Sequence, residues 1–328
     1  MWAAGRPAAW HSEHVTLTPV DPPPSREVRA RAPGKVNLSL RVGARRPDGY
    51  HPVSTVFQAV SVYEEVLAAP HEGMLVTVTG LHAGGVPTDD SNLAVRAARL
   101  LSERTGVAVD VHLHLIKGVP VAGGMAGGSA DAAAALVACD ALWNTGLSRE
   151  ELAGLAASLG ADVPFVLAGH TAVGAGRGDL LTPALTRGEF HWAFAVRDKG
   201  LPTAAVYAAF DRRHRGAPPP PLTDADDVPL MQALLAGDAV ALGQALHNDL
   251  QPAALDLAPE LDEPLQVARD AGALGVVVSG SGPTVAALAR NRQHALVIAA
   301  AFTAAGVADR VLTAIGPVPG ARVVSNSD

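Results

Sequence analysis

The chain has 328 residues, of which 48% are hydrophobic and 17% charged, so it can bury a large core and is not a disordered chain. Its formal net charge of -7, with no block rich in Lys and Arg, argues against a nucleic-acid partner. The single cysteine, Cys139, excludes an internal disulfide or a thiolate zinc cluster.

The length fits two domains or one large one. No run of about 18 apolar residues occurs, so no membrane span is expected. The N-terminus lacks the apolar stretch of a secretory signal, and the composition suits a reducing cytoplasm. Aromatics make up only 4%, which leaves Ala, Val and Leu to fill the core. The oligomeric state is not legible.

Residues 1–27 contain Pro22, Pro23 and Pro24 without an apolar period and read as a tail, as do residues 317–328. Val36, Leu38, Leu40 and Val42 alternate as in a strand. Pro47 and Gly49 then turn the chain through residues 45–51. A strand fits 74–79. A helix fits 91–105, with Leu93, Ala97, Leu100 and Leu101 on one face and Gly106 ending it. Residues 107–115 alternate most cleanly. They put His112 and His114 on one face, which reads as a solvated strand rather than a metal site because no third ligand lies nearby.

A strand, a glycine-rich loop and an alanine-rich helix follow over 118–143. The next helix starts at Ser148, where Glu151 completes a capping box, and ends at Gly160. Beyond about residue 185 the pattern predicts a strand over 191–196, a helix over 203–211 and a proline-rich connection over 217–221. Helices then fit 228–236, 239–247 and 259–271. Residues 276–289 read as strand, tight glycine turn and strand. A helix over 293–305 and a short strand near 310–315 close the folded part.

The strongest chemical signal is the stretch Pro120, Val121, Ala122, Gly123, Gly124, Met125, Ala126, Gly127, Gly128, Ser129, Ala130. Glycines let a ligand approach the backbone closely. The helix that follows aims its unpaired N–H groups and positive dipole end into the loop, which makes a cradle for a polyphosphate. The P-loop pattern and the G-x-G-x-x-G dinucleotide pattern are both absent.

Three ordered segments resemble the GHMP kinases: Ala32-Pro33-Gly34-Lys35-Val36-Asn37, the loop Pro120–Asp131, and Ser279-Gly280-Ser281-Gly282-Pro283-Thr284. The resemblance covers about residues 28–316. It implies an α+β fold of two domains: an N-terminal β/α nucleotide-binding domain over 28–185 and a C-terminal ferredoxin-like α/β sandwich over 186–316. It also implies ATP-dependent phosphorylation of an alcohol, with Mg2+ carried mainly by ATP and Ser129 as its best protein ligand. Within the family, Arg46-Pro47-Asp48-Gly49-Tyr50-His51, Gly160-Ala161-Asp162-Val163-Pro164-Phe165 and Asn248-Asp249-Leu250 are similar to the branch whose small-molecule substrate carries a cytidine diphosphate.

By this resemblance Lys35 and Asp162 stand at the reacting hydroxyl, the lysine stabilising the alkoxide and the aspartate orienting or deprotonating the alcohol. Asn37, Tyr50, His51, Thr203 and Tyr207 would bind the alcohol substrate, with the two tyrosines on opposite faces of the cytosine. Asn92 and Lys117 match positions near the adenosine. Gly280, Ser281 and Gly282 form a turn that closes the site from the second domain. A family kinase for another alcohol, such as homoserine or a mevalonate derivative, and a non-catalytic ligand sensor on the same fold remain alternatives, since fold does not imply function.

Overall fold

Two long antiparallel strands, β1 (Val28–Val42) and β2 (Val53–Ala69), organise the molecule. The computed structural model describes residues 27–80, 83–121 and 123–324, except the side chains of residues 224 and 225. The N-terminal half continues with β3 (Met74–Gly80), α1 (Leu93–Thr105), β4 (Val111–Lys117), α2 (Gly127–Trp143), α3 (Arg149–Leu159), α4 (Val163–Ala168), β5 (Thr171–Ala175) and β6 (Leu180–Pro183). The C-terminal half holds β7 (Phe190–Val196), α5 (Thr203–Arg213), α6 (Val228–Ala236), α7 (Ala239–Ala245), β8 (His247–Asn248) and α8 (Gln251–Leu257). It ends with α9 (Asp262–Asp270), β9 (Gly275–Val278), β10 (Val285–Ala289), α10 (Arg292–Ala305), β11 (Arg310–Gly316) and β12 (Arg322–Val323).

The first sheet has the order β12-β1-β2-β4-β3, with β5 and β6 continuing from β2 and β8 beside β1. Its helical face is built around α2. Ala132, Ala133, Ala134 and Ala135 of that helix are all buried, because α1, α3, α4, β1 and β2 surround it and only small side chains admit so close an approach. The second sheet, β11-β7-β10-β9, is wholly antiparallel. One face of β7, with Ala193 and Ala195, lies among Phe210, Leu265, Ile298 and Phe302. The other presents Trp192, Phe194 and Val196 to Val36, Leu38, Val56 and Val60 of the first sheet. Both faces of residues 191–196 are therefore covered. An apolar core joins the two sheets, and Trp192 Nε1 donates to Gln58 Oε1 across it (3.1 Å).

A register shift between Pro33 and Gly34 lets β1 serve both layers. Ala30 and Ala32 face the helices, whereas Val36 and Leu38 face the second sheet.

Several sequence expectations need correction. The strand placed at 107–115 runs from Val111 to Lys117, because it pairs with β3 and β2 over that stretch. His112 and His114 bond Thr77 and Thr79 of β3, and the described residues hold no cluster of three metal-ligating side chains. The helix at 239–247 stops at Ala245 so that His247 and Asn248 can pair with Ser39 and Leu40. Residues 317–324 are not a tail: β12 pairs with Ala30 and Arg31, and Val318, Ala321 and Val324 are buried. Residues 1–26 and 325–328 lie outside the described residues. Strands β2, β5, β6, β8 and β12 and helices α4 and α8 escaped the sequence reading, and residues 118–121 do not form the strand expected before the glycine-rich loop.

Because β8 and β12 return to the first sheet, no single cut near residue 185 separates the layers. Asn248 makes the crossing specific. It is buried, donates through Nδ2 to the carbonyls of Val278 and Gly280 (2.7 Å each), and accepts from Leu250 N (2.8 Å). Replacing it by alanine strands those three groups, so Asn248→Ala should lower unfolding free energy by roughly 2–4 kcal/mol, read from urea denaturation. A loss under about 0.5 kcal/mol, the scale of an ordinary surface substitution, would show that water replaces the amide.

Candidate active site

Helix α2 begins without side-chain caps. Ala126, at its N-cap, adopts φ 63° and makes no side-chain capping bond, and Ala130 N makes the first helical bond to Ala126 O. The N–H groups of Gly127, Gly128 and Ser129 thus have no partner within the helix. The glycines before and within this turn answer different needs. A Cβ on Gly124 (φ 75°) would lie 2.2 Å from Ser279 O, and one on Gly127 would lie 3.0 Å from Glu64 Oε1. A Cβ on Gly128 would meet nothing closer than Leu93 Cδ1 at 3.7 Å, so no protein atom requires a glycine there. At Gly127 the constraint is crowding, not a positive φ.

Lys35 enters from β1 and is buried. Its Nζ donates to Asn37 Oδ1 (2.6 Å) and Gly124 O (2.8 Å). Asn37 is held in turn, donating to Thr55 Oγ1 (2.8 Å), whose hydroxyl donates to Ser39 O (2.6 Å). Burial lowers the Lys35 pKa, and the charge of Asp162 opposes that shift. Asp162 precedes α4 but makes no capping bond, which leaves its carboxylate available. From the second layer, Ser279 Oγ also donates to Gly124 O (3.1 Å), and Ser281 Oγ lies 3.0 Å from Thr203 Oγ1.

Lys35, Asn37, Thr55, Gly124, Asp162, Thr203 and Ser281 line one cavity of about 530 Å³ between the two sheets. Lys35, Asn37 and Asp162 stand on its wall with Gly123, Gly124, Ala126, Gly127, Gly128 and Ser129 of the loop. Thr203, Tyr207, Gly280, Ser281 and Gly282 complete it from the C-terminal half. A second cavity of about 630 Å³ contains Tyr50, His51, Tyr207 and Asp211. The two share Val53, Ala161, Arg177, Thr203 and Tyr207 and so lie side by side.

Not every residue singled out from the sequence reaches the groove. Met125 is buried in the core between the sheets, Ala130 in the helical core, and Pro120 backs Gly123. Val121 is half-buried, and Ala122 lies outside the described residues. Asn92 caps α1, accepting from Ala94 N (2.8 Å) and donating to Pro87 O (2.6 Å).

Lys117 is buried against Glu64 and Asp131. Burial and the neighbouring Asp131 push Glu64 up to about 8, and burial also raises Asp131. His51 has its imidazole occupied: Nδ1 lies 2.9 Å from Gly43 O and Nε2 3.1 Å from Asp211, with the ring 5.2 Å from that of Tyr207. Tyr50 is 57% exposed at the mouth of the second cavity.

The sequence reading missed Arg177, whose guanidinium lies 5.6 Å from the centre of the Tyr50 ring and lines both cavities. Its setting, Gly176-Arg177-Gly178 in a tight turn, is the signal that could have revealed it. Phe57, 5.8 Å beneath the Lys35 ammonium, was also missed, because it sits in a strand whose pattern was not recognised.

A glycine-rich helix start facing a buried lysine and a free aspartate, across a groove closed by a second sheet, defines a kinase site without a P-loop. Residues 92–170 match the N-terminal domain of the GHMP kinases, and residues 230–308 match their C-terminal domain. The chain belongs to the GHMP kinase family. It is 55% identical over 305 residues to the 4-diphosphocytidyl-2-C-methyl-D-erythritol kinase of Thermobifida fusca, covering 90% of this chain and 98% of the relative. It is 53% identical over 299 residues to the kinase of the same name from Streptomyces coelicolor, covering 90% and 99%. A crystal structure of 4-(cytidine 5'-diphospho)-2C-methyl-D-erythritol kinase superposes with a TM-score of 0.71 at 33% identity, covering 88% of this chain and 98% of that one. Homoserine kinase from Cytophaga hutchinsonii, at 19% identity and a TM-score of 0.70, shares the fold.

Asp162→Asn should leave the cooperative melt unchanged and reduce kcat by about 10²–10⁴-fold, the usual worth of a positioned acid–base group. A near-native kcat would remove Asp162 from the chemistry. Gly127→Val should weaken binding of a non-hydrolysable ATP analogue by at least about tenfold in calorimetry, because the added side chain displaces the first turn of α2.

Proposed function

We propose that the chain transfers the γ-phosphoryl group of ATP to the 2-hydroxyl of 4-diphosphocytidyl-2-C-methyl-D-erythritol, a step in the non-mevalonate route to isoprenoid precursors. The observation that carries this reading is the adjacency of the two cavities. The one bearing two tyrosines shares Arg177, Thr203 and Tyr207 with the one bearing Lys35 and Asp162. A substrate with a pyrimidine at one end and an alcohol at the other fits that arrangement; homoserine and mevalonate offer no ring for the tyrosines.

The N–H groups at the start of α2 bind the ATP phosphates, with the helix dipole favouring their charge. Asp162 accepts the hydroxyl proton or orients the alcohol for in-line attack. The Lys35 ammonium, fixed by Asn37 and Gly124, faces the negative charge that develops during transfer. Phosphoryl transfer needs mainly such positioning and neutralisation. The Ser129 hydroxyl is the loop's candidate oxygen ligand for Mg2+, whose remaining ligands would come from ATP and water. The ion would neutralise phosphate charge.

In the second cavity, Tyr50 and Tyr207 supply the two faces for the cytosine. Tyr207 stays a neutral phenol, since burial and then the charge of Asp162 push its pKa up to about 12. The His51 imidazole is already engaged, so the edge of the base is read by backbone near His51 rather than by the ring. Arg177, at the junction of the cavities, meets the substrate diphosphate.

With ATP, the cytidine-bearing alcohol should turn over far faster than homoserine or mevalonate; preference for either of these would transfer the assignment to another family activity. Absence of turnover on the whole panel would favour a ligand sensor. Base–aromatic stacking is worth roughly 1–3 kcal/mol, so Tyr207→Ala should raise KM for the cytidine compound by about tenfold to a hundredfold and leave KM for ATP nearly unchanged. Tyr207→Phe should be mild, because stacking uses the face of the ring. An effect of Tyr207→Ala on ATP instead would overturn the pocket assignment.

A further inference from the structure

Directly behind the phosphate loop lies an ionic cluster that the reaction does not touch. It joins three elements: Glu64 of β2, Lys117 of β4 and Asp131 of α2, with side chains 0%, 2% and 4% exposed. Lys117 Nζ lies 2.6 Å from Glu64 Oε1 and donates to Asp131 Oδ2. Glu64 Oε2 accepts from Gly118 N (2.8 Å), and its other oxygen lies under Gly127, at the first residue of α2. Asp131 Oδ1 is buried with no hydrogen-bond partner among the described residues.

Stability alone does not account for such a cluster. Desolvating three ionisable groups costs about as much as their attraction returns, and an apolar trio of the same volume would serve the core as well. Its location supplies a reason. Two carboxyl groups sit behind a loop that must attract the anionic phosphates, in a medium where charge is poorly screened. A single ammonium contacts both and offsets the charge they carry.

We propose that Lys117 is a positioning residue for the nucleotide that acts through the loop: its ammonium, held against Glu64 and Asp131, offsets the carboxylate charge behind the start of α2. This rests on the reading that ATP phosphates lie at the start of α2. It replaces direct contact between the Lys117 ammonium and ATP with an action through the loop.

The test is calorimetry of the full chain with a non-hydrolysable ATP analogue, which needs no alcohol substrate, accompanied by KM values for both substrates. Lys117→Met should weaken analogue binding by about tenfold or more, while KM for the cytidine-bearing alcohol stays within about twofold. Adding Asp131→Asn to Lys117→Met should recover most of the loss, because it removes the uncompensated charge; a merely structural lysine would give no such rescue. Should Lys117→Met fail to fold, Asp131→Asn alone decides. With Lys117 retained, it should bind the analogue as tightly as the native chain or more tightly, whereas a tenfold weakening would overturn the proposal. So would native affinity in a folded Lys117→Met, or a double variant no better than the single one. If the native chain does not bind the analogue, the kinase reading falls and this inference with it. Native binding that is indifferent to Lys117 overturns the inference alone.

Discussion

The carbonyl of Gly124 is where the molecule comes together. It accepts from Lys35 Nζ and from Ser279 Oγ, so the first strand, the phosphate loop and the hairpin of the second sheet meet at one oxygen. Any side chain at that position would drive its Cβ into the backbone of Ser279. A bare, left-handed residue is therefore a condition for closing the groove, and the geometry around Lys35 depends on it.

The two layers are held against that point by apolar packing and by one side-chain amide. Trp192 and Phe194 fill the space between the sheets, where a chain poor in aromatics places two of its fully buried rings. Asn248 then fixes the hairpin by satisfying carbonyls on both sides of Ser279. Packing brings the layers together without regard to direction, whereas the amide bonds set where the Gly280–Gly282 turn stands.

Electrostatically the groove is divided. Its phosphate end offers backbone N–H groups and a helix dipole, with the carboxylates kept behind the loop and compensated by Lys117. Its centre pairs a desolvated ammonium with a carboxylate that no capping bond consumes. Its far end is aromatic, with an exposed guanidinium where the two cavities join. An acidic chain can thus bind an anionic ligand, because attraction for phosphate is a property of local dipoles and not of net charge.

The sequence by itself determined the parts whose information is local. Glycines before an alanine-rich helix announced the loop at the start of α2, Ser148 and Glu151 the capping box, and three ordered motifs the family and the α+β class. It did not reveal β2, because residues buried on both faces of a central strand lose the alternation that marks a half-exposed one. Nor could β8 or β12 be read from it, since two-residue strands exist only through the partner they find on β1. The tertiary structure alone separated Gly128, which faces open space, from Gly124 and Gly127, which leave room for the protein. It alone removed Lys117 from the cavity wall and put Arg177 on it. Such distinctions rest on what lies across a gap between segments distant in sequence, and only packing decides which residues face each other there.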